Sequence, residues 1–292
     1  MAGEAAEREN GLAFASVPVR SRRKAKVEPL RLSPTAVSAF HQCPQLYKFL
    51  YVDKLGDQYS RPKPYFTMGN HVHATLRDLL RLWPPERRTA QAAQKLLEKN
   101  WRRYRTGFKD SQDEQRWAEK AREQLKAFVE GHDLSARPVM LEEALEARIT
   151  PGLVLRGRVD RVDREPDGSL HIVDYKTGKM PAEADWLQLE LHALALSLSR
   201  RSAPPVRRLS YLYLGPSELV STALSPGSLE QVQWDLLGTA RSIRQERRFR
   251  PRRGPWCKGC DFRPICPTQP DVSATNNDID GQLELWDDLN GW

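Results

Sequence analysis

Residues 153–178, LVLRGRVDRVDREPDGSLHIVDYKTG, constrain the fold more than any other stretch of the chain. The first half alternates apolar and charged residues, and the second opens with a short apolar run; both read as strands. Pro166-Asp167-Gly168 between them has the composition of a tight turn, so the strands are expected to pair antiparallel. The second strand stops at a charged cluster. Asp174 and Lys176 are two residues apart and share a face at the strand period of two. Two opposite charges on one face of a buried strand are either a structural ion pair or the floor of a site. Pairing across the turn also brings Asp160, at the end of "LRGRVD", close to Asp174.

The flanking patterns place this hairpin in an α/β domain. Ser33 and Pro34 mark a helix start, and a short helix is expected to run to about Gln42, where Cys43-Pro44 ends it. "YFTMGNHVHATLRDLLRLW" carries Met68, Val72, Leu76, Leu79, Leu80 and Trp83 near one face of a helix. Two charge-rich helices follow, over 86–108 and 113–132. "LEEALEARITP" is a strand before the hairpin. After it come an amphipathic helix ("EADWLQLELHALALSLSR"), two late strands ("VRRLSYLYLG" and "ELVSTALS") and a last long helix from Ser228. The expected organisation is a disordered basic arm over 1–29, one domain over 30–268 and an acidic flexible tail over 269–292. Within the domain, a helical part spans about 66–132, a sheet about 139–223 and a cysteine segment 257–266.

The chain has 292 residues and a net charge of +8, which suits a polyanionic partner such as nucleic acid. No apolar run approaches the ~18 residues of a membrane helix. The N-terminal residues lack the apolar core of a signal peptide, so a cytoplasmic location is the default expectation. "KTGK" lacks the preceding glycine of a phosphate-binding P-loop, which argues against an ATP site.

Two carboxylates beside a lysine suit phosphodiester hydrolysis. Carboxylates hold Mg²⁺ or Mn²⁺, the metal lowers the pKa of a bound water, and a lysine orients that water or stabilises charge on phosphorus. The order of motifs strengthens this reading. Gly69-Asn70-His71-Val72-His73 lies on a helix, followed by Gly157-Arg158-Val159-Asp160, by Asp174-Tyr175-Lys176-Thr177-Gly178 and by Gln188-Leu189-Glu190-Leu191-His192. Together they resemble the RecB-like branch of the PD-(D/E)xK nuclease superfamily, whose patterns are G-x-x-x-H, G-x-x-D, D-x-K-T-G and Q-x-x-x-Y. The resemblance spans roughly residues 32–267. It implies a restriction-endonuclease-like core, a mixed central sheet flanked by helices, with a helical insertion. It implies His73, Asp160 and Asp174 as metal ligands, with the Tyr175 carbonyl as a further one, and Lys176 as the catalytic lysine. Gln188 would help place a phosphate or the lysine. His192 stands where the family has tyrosine; its imidazole can donate to a phosphate, but with a charge expected to vary near neutral pH. His71 points away from His73 on a helix and is left out of the site.

Cys257, Cys260 and Cys266 form a compact ligand cluster that Cys43 can join across the domain. Count alone allows four-thiolate zinc or an iron–sulfur cluster. One cysteine before the core and three after it resembles the iron–sulfur nucleases of the same branch, the AddB subunit and the CRISPR adaptation nucleases, and implies a four-iron, four-sulfur clasp. Arg102, Arg103, Trp101 and Tyr104 interleave charge with aromatic rings, as a contact surface for single-stranded DNA requires. Gln282, Leu283, Leu285 and Trp286 resemble the peptides with which bacterial proteins dock on the replicative sliding clamp. The expected activity is a metal-dependent, single-strand-preferring exonuclease of DNA repair and recombination, with a helicase as a further candidate partner. The alternatives are a CRISPR-type spacer-processing nuclease and a non-catalytic DNA-binding subunit of a helicase–nuclease complex.

Overall fold

The computed structural model describes residues 28–225 and 227–268. The basic arm, apart from its last two residues, and the acidic tail with the clamp-like peptide Gln282–Trp286 lie outside the described residues. The sheet has six strands among the described residues: β1 (Leu30–Leu32), β2 (Met140–Thr150), β3 (Leu153–Arg164), β4 (Leu170–Lys176), β5 (Val206–Tyr213) and β6 (Glu218–Ala223). β2 runs antiparallel along one edge of β3. On the other edge, β1 pairs parallel with Leu153–Leu155 and β4 pairs antiparallel with Arg161–Arg164. β4 then pairs parallel with β5, and β5 antiparallel with β6, so the sheet is mixed. The parallel step needs a crossover, and helix α7 (Leu187–Ser199) supplies it. The Pro-Asp-Gly turn behaves as its composition predicts. Gly168 takes φ +84°, its amide donates to the Glu165 carbonyl, and Asp167 accepts from the Ser169 amide.

Helices cover both faces. One core joins the sheet to α1 (Pro34–Gln42), α7 and α8 (Ser228–Gln245) through Leu155, Val159, Ile172, Leu189, Leu194 and Leu236. A short α2 (Pro44–Tyr47) continues into a π-helical turn, and α3 (Gly56–Tyr59) follows. The second core lies under α4 (Pro64–Leu82), α5 (Ala90–Trp101) and α6 (Ser111–Gly131), which pack on Val173, Tyr175 and Leu212. All seven β4 residues are therefore buried, as expected for a strand covered on both faces.

Helix ends follow their sequence signals. The Ser33 side chain caps α1 by accepting from the Ala36 amide, with Pro34 in the first turn. α5 is shorter than its charge pattern predicts and stops at Trp101, so Arg102, Arg103 and Tyr104 sit in the following turn and loop rather than on a helical face. β1 was not expected from sequence; three residues are too few to show a period.

Candidate active site

The site lies where α4 and α7 meet the row of residues running across β2, β3 and β4. The register Leu141↔Arg161 and Glu143↔Val159 brackets Glu142 opposite Asp160. The register Arg161↔Val173 places Asp160 in line with Asp174. Three carboxylates thus stand side by side across three strands. Like charges directly opposite on a sheet destabilise it, so this row needs cations around it.

Among the described residues, His73, Arg158 and Lys176 pair with these carboxylates. His73 descends from α4, its Nδ1 3.3 Å from Asp160 Oδ2 and 3.5 Å from Glu142 Oε1. Burial alone would lower the imidazole pKa, but the neighbouring carboxylates of Asp160, then Glu142, hold it well above its ordinary value. Burial likewise opposes ionisation of Asp160, yet His73, the Tyr175 amide and Lys176 hold its carboxyl below the usual range. That amide donates to Asp160 Oδ2 at 2.9 Å. Arg158 Nε pairs with Glu142 Oε2 at 3.1 Å. Lys176 Nζ lies 2.9 Å from Asp174 Oδ2 and donates to Gln188 Oε1 at 3.0 Å. Gln188 Nε2 closes the triangle by donating to Asp174 Oδ1 at 3.1 Å. The crossover helix therefore fixes the acid and the lysine that end β4.

Two glycines let these elements approach. A Cβ at Gly69 would stand 3.3 Å from the Thr177 hydroxyl, so α4 rests on the end of the D-x-K-T-G segment. A Cβ at Gly157 would stand 2.6 Å from His192 Cδ2, so the imidazole fills the space over the glycine. His192 is buried, and burial pushes its pKa down to about 4. This corrects the expectation of a variable charge: the ring is neutral at physiological pH.

One cleft is lined by His73, Asp160, Asp174, Tyr175, Lys176, Gln188 and His192, and also by Tyr65, Phe66, Trp117 and Lys120. Among the described residues, His73, Glu142 and Asp160 are the group of possible ligands whose atoms lie within 4.8 Å of one another. One nitrogen and two carboxylate oxygens are donor types that a divalent cation accepts. Asp174 lines the same cleft, held by Lys176 and Gln188.

Sequence reasoning missed Glu142, Arg158 and the aromatic rim. The predicted DNA contacts need one correction. Trp101 is 8% exposed, packs in the second core and donates from Nε1 to Glu114, so it offers no face for stacking. Tyr104 is partly exposed and stacks on His71. Arg88, in the same basic stretch, is buried and donates to the carbonyls of Leu80, Trp83, Leu134 and Ala136; it holds the fold together. His71 is buried and bonded to the Tyr104 carbonyl, away from the carboxylate row.

The four cysteines meet in a second pocket, lined by Cys43, Cys257, Cys260 and Cys266 with Arg252, Arg253 and Arg263. None is in a disulfide. Cys43 ends α1, and its sulfur accepts from the Arg252 amide at 3.4 Å. Phe49 and Phe262 stack beside it and join the two ends of the domain. Burial, with the charges of Cys257, Cys43 and Cys266, pushes the Cys260 thiol up to about 11. A bound cation reverses this balance, because a coordinated thiol is deprotonated.

The family model of the PD-(D/E)XK nuclease superfamily matches residues 31–267. The chain belongs to that superfamily; it is a nuclease, its substrate is nucleic acid, and the superfamily generally uses divalent metals. Among solved structures, a Eubacterium rectale protein designated by inference an exonuclease is similar at 11% identity and a TM-score of 0.46, covering 91% of this chain and 97% of its own. A protein designated SSO0001 is similar at 14% identity and a TM-score of 0.37, with 86% and 91% covered. No curated protein gives a significant match. Among the described residues, no helix is long and apolar enough to cross a membrane.

Proposed function

We propose that the chain is a RecB-like, metal-dependent exonuclease that degrades single-stranded DNA in repair or recombination. The observation that carries this reading is the single cleft in which His73, Asp160, Asp174, Lys176 and Gln188 converge. His73, Asp160, Asp174 and the Tyr175 carbonyl would hold a divalent cation. That ion supplies charge neutralisation at the phosphate and a bound water of lowered pKa. Lys176, oriented by Asp174 and Gln188, donates to the attacking water or to a phosphate oxygen as charge develops there. His192, buried and uncharged at physiological pH, shapes the floor and keeps a single ring N–H.

The preference for unpaired DNA rests on the rim. Tyr65 and Trp117 stand edge to face with ring centroids 6.4 Å apart, and Lys120 lies 5.0 Å over the Trp117 ring. Half-buried aromatics beside a lysine at the mouth of a cleft suit base stacking and phosphate contact, which a paired duplex does not allow. Trp117 and Tyr65 thus take the role first expected of Trp101.

The four cysteines carry a four-iron, four-sulfur cluster in this reading. All four line one pocket and none is in a disulfide. The cluster's role is to pin Cys43 to the C-terminal segment beside the arginines.

The test is an anaerobic preparation incubated with Mg²⁺ or Mn²⁺ and end-labelled single- and double-stranded DNA, beside Lys176→Ala. Metal-dependent, end-directed loss of nucleotides from single strands, absent in the variant, is expected. Activity retained by Lys176→Ala overturns the site assignment, and cleavage of a circular single strand overturns the exonuclease mode. Iron and sulfide analysis decides the cluster; a colourless protein with stoichiometric zinc refutes it.

A further inference from the structure

Glu142 has no part in the reading above, yet three observations place it in the centre. The first is position: it stands opposite Asp160 in the register of β2 and β3, two carboxylates facing each other. The second is backbone. Glu142 takes φ +49°, the left-handed region, inside a strand. A side-chain-bearing residue held there is strained, and such strain collects at functional positions. The core-facing positions also slip by one at this point. β2 turns Met140 inward and then Leu145 and Ala147, while β3 turns in Leu153, Leu155 and Val159 and then Val162. Both strands change phase around the Glu142–Asp160 pair.

The third observation is an under-satisfied oxygen. The Glu142 side chain is 10% exposed. Its Oε2 pairs with Arg158, while the buried Oε1 has His73 Nδ1 at 3.5 Å, beyond ordinary hydrogen-bond length, and no closer donor among the described residues. An acid that served only to balance Arg158 would not need to sit in one compact group with His73 and Asp160. A buried oxygen held only by that long contact is under-satisfied at a cost, and a cation between the three groups supplies a closer partner.

We propose that Glu142 is a metal ligand, and that His73 Nδ1, Glu142 Oε1 and Asp160 Oδ2 form one face of the site. The inference rests on the metal-dependent reading of the cleft and extends its ligand set to β2. The edges from His73 Nδ1 are 3.3 and 3.5 Å. Neighbouring ligand atoms of an octahedral ion at ~2.1 Å stand about 3 Å apart, so both His73 edges are within a few tenths of an ångström of that spacing, and the three residues offer ligand atoms that all lie within 4.8 Å of one another. The imidazole nitrogen favours Mn²⁺ over Mg²⁺ or Ca²⁺, which prefer all-oxygen sites. Through Oε2, Glu142 also holds Arg158 at the cleft, where a guanidinium meets phosphate oxygens.

The test reads metal binding without turnover. Mn²⁺ is titrated into the full chain, anaerobically purified, and the unbound ion is followed by electron paramagnetic resonance. Glu142→Gln keeps the shape and removes the charge. Glu143→Gln is the control, because Glu143 is exposed and pairs with Arg200. The expected result is a Kd for Mn²⁺ at least tenfold weaker in Glu142→Gln, unchanged in Glu143→Gln, and weaker in His73→Ala. Because a carboxylate repulsion is removed, metal-free Glu142→Gln is expected to melt no lower than the parent, while its Mn²⁺-induced rise in Tm shrinks. A Glu142→Gln Kd within twofold of the parent, with His73→Ala weakened, refutes the role of Glu142 and leaves the metal reading standing. Parent protein that binds no Mn²⁺, or His73→Ala that binds normally, overturns both.

Discussion

Gly157→Ala tests whether the G-x-x-D glycine is a space requirement set by His192. An added Cβ would meet His192 Cδ2 at 2.6 Å and Nε2 at 3.0 Å. Carbon atoms rest at roughly 3.5–4.0 Å, so the overlap is about 1 Å. The ring has little room to retreat: His192 is 4% exposed and sits among the buried residues of α7, between Leu191 and Ala193. Either α7 lifts or β3 bends. Overpacking of this kind costs about 1–3 kcal/mol, and a loss of about 2 kcal/mol corresponds to roughly 4–8 °C in Tm for a domain of this size. His192→Ala leaves space for the new methyl group. The double variant is therefore expected to be more stable than the sum of the single effects by about 1 kcal/mol or more. Urea unfolding of the metal-free protein, followed by tryptophan fluorescence and circular dichroism, measures all three variants. A single variant within about 0.5 kcal/mol of the parent, or strictly additive effects, refutes the packing argument.

Arg88→Ala is expected to destabilise the fold by about 2–4 kcal/mol, because four backbone carbonyls lose a buried donor; Arg88→Lys should not restore it, since an ammonium lacks the planar fork. A urea midpoint unchanged in either variant contradicts this. His171, bonded to Ser210 and beside Glu165, has its pKa pushed down to about 4 by burial. Its folded form binds fewer protons than the unfolded chain between pH 6.5 and 4, so stability is full above 6.5 and falls as pH drops through that window. The loss is about 2–3 kcal/mol after allowance for partial solvent screening; His171→Asn should flatten the slope, and an unchanged pH–stability curve sinks the assignment. Gln188→Ala frees Lys176 and Asp174 from their shared partner, so nuclease rate should fall about 10–100-fold, as for outer-shell partners of metal sites, against a larger loss in Lys176→Ala. Equal rates for Gln188→Ala and the parent would show that the triangle does not position the lysine.

Much of the architecture was legible because local signals agreed. The period-two runs, the Pro-Asp-Gly turn and the capped start of α1 each became the element they predict. The acid–lysine pair could be placed because a strand period fixes which residues share a face. Contacts across long separations were less legible. Trp101 follows a basic helix and reads as a stacking residue, but burial against Phe108 and His71 claims its ring. The rim residues Tyr65 and Trp117 lie on two different helices, and no spacing in the sequence joins them.

The "LEE" at 141–143 shows the division most clearly. Sequence alone determined that this run is a strand before the hairpin strand that carries Asp160, by its period-two pattern; that a glutamate of it stands opposite Asp160 was not legible. Nor was it legible which glutamate. Pairing continued from Thr150↔Leu153 would set Glu143 against Asp160. The register slips by one residue between Arg148 and Thr150, and Glu142 arrives there instead. A one-residue slip exchanges the two faces of a strand, and only the packing of the sheet against its helices selects the register. The carboxylate that enters the cleft, and the one left outside with Arg200, were decided by tertiary structure.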